Sequence, residues 1–183
     1  MNTLAEGKHM DIVTDVHEIE RLSELNASRN SEFRTFLKHR LDWDGEKLDC
    51  AVHEILSEVT SAIDCTKCAV CCLEMGISVE PEEIDRMARH TGMSSEEFES
   101  RNVVMDSDWS EKIMAESPCM FLDKKLCTIY NDRPVVCRDF PHLHKPDFRS
   151  RLFSVFNNAG TCLIVFNVLE ELKRRTGWRG RKH

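Results

Sequence analysis

The sequence predicts a mainly α-helical chain with an irregular core and one small two-stranded hairpin. Three observations carry that expectation. Apolar residues recur at three- and four-residue steps through the first third of the chain. A second set of helix-capping signals follows Glu80. Eight of the nine cysteines fall after that first helical third.

Ile12, Val16, Ile19 and Leu22 make the first amphipathic stripe, and Phe33, Phe36, Leu37 and Leu41 make the second behind a polar Asn30-Ser31 start. Asp42-Trp43-Asp44-Gly45 reads as a turn. Leu48, Val52, Ile55, Val59 and Ile63 then form a third stripe that runs straight into Cys65. Each stripe is explained by core packing alone. Pro81 suits the first position of a fourth helix, with Glu82 and Glu83 at its positive end and Gly92 as its stop. Ser94-Ser95-Glu96-Glu97 is a capping box for a short fifth helix. Cys119 to Leu122 and Leu126 to Tyr130 read as two short strands around Asp123-Lys124-Lys125. Pro134 permits a helical turn carrying Cys137. A last helix from about Thr161 to Thr176 shows Val165, Phe166, Leu169 and Leu172 on one face. The division expected is a helical segment over residues 1–64 packed on the core, a cysteine-rich domain over 65–162, and a C-terminal helix with a basic tail over 163–183.

With 183 residues, 41% of them apolar and 31% charged, the chain is long enough to bury a core. The longest apolar run is six residues, Cys68 to Leu73, far short of the ~20 needed to span a bilayer. The opening residues lack a charged head followed by an apolar stretch, so a cytoplasmic location is expected. The net charge of −7 argues against a general attraction to nucleic acid or anionic lipid. From Glu74 to Glu111 eleven acids stand against three bases, which reads as a solvated face or, on a weaker reading, an adaptor surface for a protein partner. The basic C-terminal run (Lys173, Arg174, Arg175, Arg179, Arg181, Lys182) is accounted for by cations favoured at a helix C-terminus.

Cysteine is the outlier. Where thiols stay reduced, a dense cysteine set points to metal or redox chemistry before disulfides. Cys65, Cys68, Cys71 and Cys72 form C-x2-C-x2-C-C. A two-residue gap lets two thiolates curl around one ion, and the same spacing serves iron–sulfur clusters. Neighbouring side chains diverge by ~100° in a helix and ~180° in a strand, so Cys71 and Cys72 do not suit one mononuclear ion as terminal ligands. With Cys50 set aside as a core thiol beside the third stripe, eight cysteines remain, the number two four-thiolate sites require. Eight thiolates and two divalent ions leave a net −4, so a positive group is expected close by. Arg133 and Arg138 flank Cys137 and are the candidates for binding next to the ligands. His142 and His144 are weaker ligand candidates. Cys162 opens the last helix, whose positive end favours a thiolate. Cys127 to Arg133 also fits C-x5-R, but a phosphate loop needs backbone N–H groups turned onto an anion, and this stretch has no glycine and carries Asp132 beside the arginine.

The second cysteine group runs Pro118-Cys119-Met120-Phe121-Leu122 and then Cys127-Thr-Ile129-Tyr130-Asn-Asp-Arg133-Pro134-Val-Val-Cys137-Arg138-Asp-Phe140-Pro141. With Cys65 to Cys72 it resembles the YkgJ-like cysteine-cluster family of zinc- or iron-chelating domains, over about Cys65 to Cys162. Met120 stands where that family usually has proline. The resemblance implies metal chelation and a core pinned by metal. The expected ligands are Cys65, Cys68, Cys71, Cys72, Cys119, Cys127, Cys137 and Cys162, holding zinc or iron, an iron–sulfur cluster included. The leading expectation is a cytosolic metal-binding protein. The alternative is an iron–sulfur or non-haem iron redox enzyme using the same cysteines. A similar cluster in some flagellin lysine methylases keeps an enzymatic use in view by analogy. The chain is also expected to return from residues 73–118, as a helical excursion, to bring the two cysteine groups together.

Overall fold

The computed structural model describes residues 10–108 and 110–180. Among them the α-helices are α1 (Val16–Leu25), α2 (Ala27–His39), α3 (Gly45–Ala62), α4 (Val70–Glu74), α5 (Pro81–Thr91), α6 (Ser95–Asn102), α7 (Val135–Asp139), α8 (Leu152–Asn157) and α9 (Leu163–Arg175). Short 3-10 turns occupy Cys65–Lys67 and Phe148–Arg151. Two hairpins complete the inventory, β1 (Val103–Met105) with β2 (Lys112–Met114), and β3 (Leu122–Asp123) with β4 (Leu126–Cys127). The chain is mainly α, as its stripes predict. It divides into two units, one built from the described residues up to Ile63 together with those from Leu143, the other from Asp64–His142. Arg181, Lys182 and His183 of the expected basic tail lie outside the described residues.

The first unit is helical. Asp15 and Asp44 start α1 and α3 by accepting the backbone N–H of Glu18 (3.1 Å) and Lys47 (2.7 Å). The Asp15 cap places Ile12 in the extended lead-in, outside the helix its spacing suggests. The second helix opens at Ala27, ahead of the expected Asn30-Ser31. α3 buries Leu48, Val52, Ile55 and Val59 and packs along α9. α9 is apolar nearly all round and is buried accordingly, from Leu163 through Val168. Its one buried amide, Asn167, accepts from Val13 N–H and donates to Val13 C=O, both at 2.8 Å, so the lead-in is hydrogen-bonded to the helix. Cys50 is exposed. It lies two residues from both Leu48 and Val52, ~200° around the helix from each, so the stripe that buries them turns Cys50 to solvent. The expectation of a core thiol there is corrected. Ile55, fully buried, marks the cost of opening this unit. Ile55→Ala is expected to destabilise it by about 2–5 kcal/mol, read as a lowered urea midpoint.

The second unit carries the remaining cysteines except Cys162. Ile77, Val79, Ile84, Met87, Ala88, Phe98, Met114, Phe121 and Ile129 form its core. α5 stops at Gly92, which adopts φ +73° as a left-handed cap requires. Ser94 starts α6 by accepting Glu97 N–H at 3.2 Å. The excursion between the cysteine groups is not wholly helical. Val103-Val104-Met105 leaves α6 as β1 and pairs with β2, Val104 opposite Ile113. β2 also pairs on its other side with the Ile77–Val79 stretch, through Val79 N–H to Lys112 C=O and Met114 N–H to Ile77 C=O, both 2.9 Å. β3 and β4 form the expected hairpin, with Leu122 opposite Cys127.

Candidate metal centre

Local chemistry shapes each cysteine group. Asp64 opens the first by accepting from Thr66 N–H (3.0 Å) and Thr66 Oγ1 (2.6 Å), which winds Cys65–Lys67 into its 3-10 turn. Ala69 then takes the left-handed conformation at φ 62°, unusual for a residue with a Cβ, and starts α4 in a new direction. Cys71 and Cys72 lie in that helix. In the second group, Cys119 sits ahead of β3, Cys127 ends β4 and Cys137 is the third residue of α7.

The two groups meet. Cys119 N–H donates to Cys72 C=O at 2.9 Å, and Ser117 Oγ donates to Leu73 C=O at 2.6 Å. β4 lies against the Cys65–Lys67 turn. Cys119, Cys127 and Cys137 pack, partly buried, on the apolar core of the unit. Among the described residues no three His, Cys, Asp or Glu side chains converge as a closed ligand set. The thiols instead share one electrostatic neighbourhood. Burial pushes the Cys137 thiol up to about 12, reinforced by Cys119, Cys72 and Cys127. Burial likewise raises Cys119, which also senses Cys127 and Cys72, and it raises Cys127, which senses Cys72. The thiol of Cys72 is held far up by its hydrogen bond with Cys71, then by burial and the charge of Cys71. Cys65 is raised by burial, by Cys68 and by Asp64.

Opposing forces sit in the same place. The backbone N–H of Phe121 donates to the Cys119 sulfur and that of Ile129 to the Cys127 sulfur, each two residues on, and each bond favours the thiolate. Arg133 lowers Cys72, Cys127 and Cys137. Its guanidinium lies 3.7 Å from the Tyr130 ring centroid and donates to Tyr130 C=O. Arg138 instead reaches Arg133 C=O at 3.5 Å. Cys162 is in the helical unit, buried at the start of α9. His142 is half-buried and His144 exposed, both just past α7. Thiols are soft donors of the kind zinc and ferrous iron favour, and a cation among ionised thiols supplies counter-charge. Arg133→Gln is expected to weaken zinc binding about 10-fold in competition with a chromophoric chelator, since it removes the side-chain cation that acts on Cys72, Cys127 and Cys137.

Residues 64–162, 99 of the 183, match the family model CxxCxxCC, described as "Putative zinc- or iron-chelating domain". No curated protein and no solved structure matches the chain. The match covers more than half of the sequence, and the chain belongs to the CxxCxxCC family of zinc- or iron-chelating domains.

Proposed function

We propose that this chain chelates zinc or iron through Cys72, Cys119, Cys127 and Cys137, with Cys65, Cys68 and Cys71 as the adjoining thiols and Arg133 as the balancing cation. Cys162 of the helical unit takes no part in this reading. The observation that supports it best is the backbone bond from Cys119 N–H to Cys72 C=O, which joins the two cysteine groups, with Cys119, Cys72 and Cys127 all acting on Cys137. A metal bound there would supply the positive charge that lets the thiols ionise and would cross-link α4, the β3–β4 hairpin and α7. A set of reduced thiols suits the cytoplasm. Tetrahedral thiolate sites accept zinc and ferrous iron alike, so the metal is decided by measurement. The test is purification without oxygen, followed by elemental analysis by mass spectrometry, a visible and near-ultraviolet spectrum, and an assay for acid-labile sulfide. A colourless protein with stoichiometric zinc supports the chelating role. A brown protein with iron and sulfide moves the same thiols to the redox reading. Metal-free protein that takes up neither ion overturns both.

A further inference from the structure

α5 contributes no cysteine, yet one of its carboxylates holds the helix that presents Cys137. The Glu83 side chain is only 7% exposed and both of its oxygens are used. Oε2 accepts the N–H of Glu80 at 2.9 Å within its own capping box. Oε1 accepts the N–H of Val135 at 2.7 Å, across 52 residues of sequence. Arg86 Nη2 stands 3.6 Å from the same oxygen. Val135 is the first residue of α7, and a first-turn N–H has no acceptor within its own helix. Pro134, just before it, has no N–H to offer. The acceptor that fixes where α7 begins, two residues before Cys137, therefore comes from a distant helix. At the other end of α5, His90 Nε2 lies 2.9 Å from Asp132 Oδ2, a second tie to the segment between Cys127 and Cys137. Ile84, Met87 and Ala88 fill the space between these ties, packed in the same core as Ile129, with Val136 and Cys137 against it.

We propose that Glu83 is a positioning residue for the metal centre, which sets the direction of Cys137 toward Cys72, Cys119 and Cys127. The inference rests on the chelating reading above. Gln at this position keeps the shape but replaces one acceptor oxygen with a donor, so one of the two N–H groups faces a donor. Asp keeps the charge and is one methylene too short to span Glu80 and Val135.

The experiment compares wild type, Glu83→Gln and Glu83→Asp for Zn2+ affinity by chelator competition and for the visible spectrum of the Co2+-loaded protein. Far-ultraviolet circular dichroism monitors the fold. A wild type that takes up neither ion ends the chelating reading and this inference together, and is recognised without any variant. With wild-type uptake, a folded Glu83→Gln that binds Zn2+ about 10–100-fold more weakly, with altered cobalt bands, supports the positioning role. Unchanged affinity and bands in that variant overturn it, because a residue that only stabilises the unit leaves both as they are. If Glu83→Gln does not fold, Glu83→Asp decides by the same two readouts. Unfolding of both variants also overturns the proposal, since Glu83 then serves the fold and not the direction of Cys137.

Discussion

Cys137→Ser is expected to lower zinc affinity by about 100-fold or more, with circular dichroism unchanged in the helical unit. Structural zinc sites bind with apparent free energies of ~10–16 kcal/mol, so four thiolates contribute roughly 3 kcal/mol each. At ~1.4 kcal/mol per decade that is about two decades for one lost ligand. Electrostatic coupling also ranks the cysteines. Cys72, Cys119 and Cys127 act on Cys137 and should match it in effect. Cys65 is coupled to Cys68 and Asp64, and its replacement should cost less. Cys50→Ser, on the solvent face of α3, should cost nothing. Chelator competition across this series separates the ranking from a general loss of stability. Wild-type affinity in Cys137→Ser would remove that residue from the centre.

The elements that proved legible are those set by local chemistry. Ser94 and Gly92 each act within a few residues, and a cap or a stop can be read from such spacing, while Asp44, read as part of a turn, caps α3 in the same local way. The stripe in α3 is equally local. The same geometry applied to Cys50 would have turned it to solvent, since it sits two positions from each of two buried neighbours. The β1–β2 hairpin was hidden in a stretch dominated by acids, where Val103-Val104 and an isolated Ile113 were the β-branched hints. Its second partner, Ile77–Val79, is over thirty residues away and leaves no local trace. In the centre, divergence of neighbours showed that Cys71 and Cys72 differ, but not which one faces the second group. What joins the groups is the backbone bond from Cys119 N–H to Cys72 C=O, which no local spacing announces. Charge balance pointed to Arg133 and Arg138 together, and the structure distinguishes them, since Arg133 acts on Cys72, Cys127 and Cys137 while Arg138 reaches Arg133 C=O. Glu83 looked like an ordinary first-turn acid, because its bond to Val135 crosses a whole excursion of chain.

Metal uptake near neutral pH is expected to release about four protons per ion, and apparent affinity should fall by up to about four decades when pH drops by one unit. The sign follows from the thiols. Cys72, Cys119, Cys127 and Cys137 are all raised, Cys137 to about 12, so each is a neutral thiol at pH 7 and must lose its proton to bind metal. The metal-free protein should show the opposite trend. A thiol raised in the folded state stabilises the fold fully below its unfolded pKa of ~8.5, and that contribution is lost as pH climbs through the folded value. The Asp64–His142 unit without metal should therefore weaken between about pH 9 and 12. Over the range from pH 6 to 9 the metal-loaded unit should strengthen relative to it. Titrating weakly buffered protein with Zn2+ against a pH indicator gives the proton count, and denaturant midpoints with and without metal give the two trends. Release of fewer than about one proton per ion would mean that the thiols are already ionised, with Arg133 and the N–H bonds of Phe121 and Ile129 outweighing burial. That result would recast the centre as a set of standing thiolates and would sink the account of its charge given above.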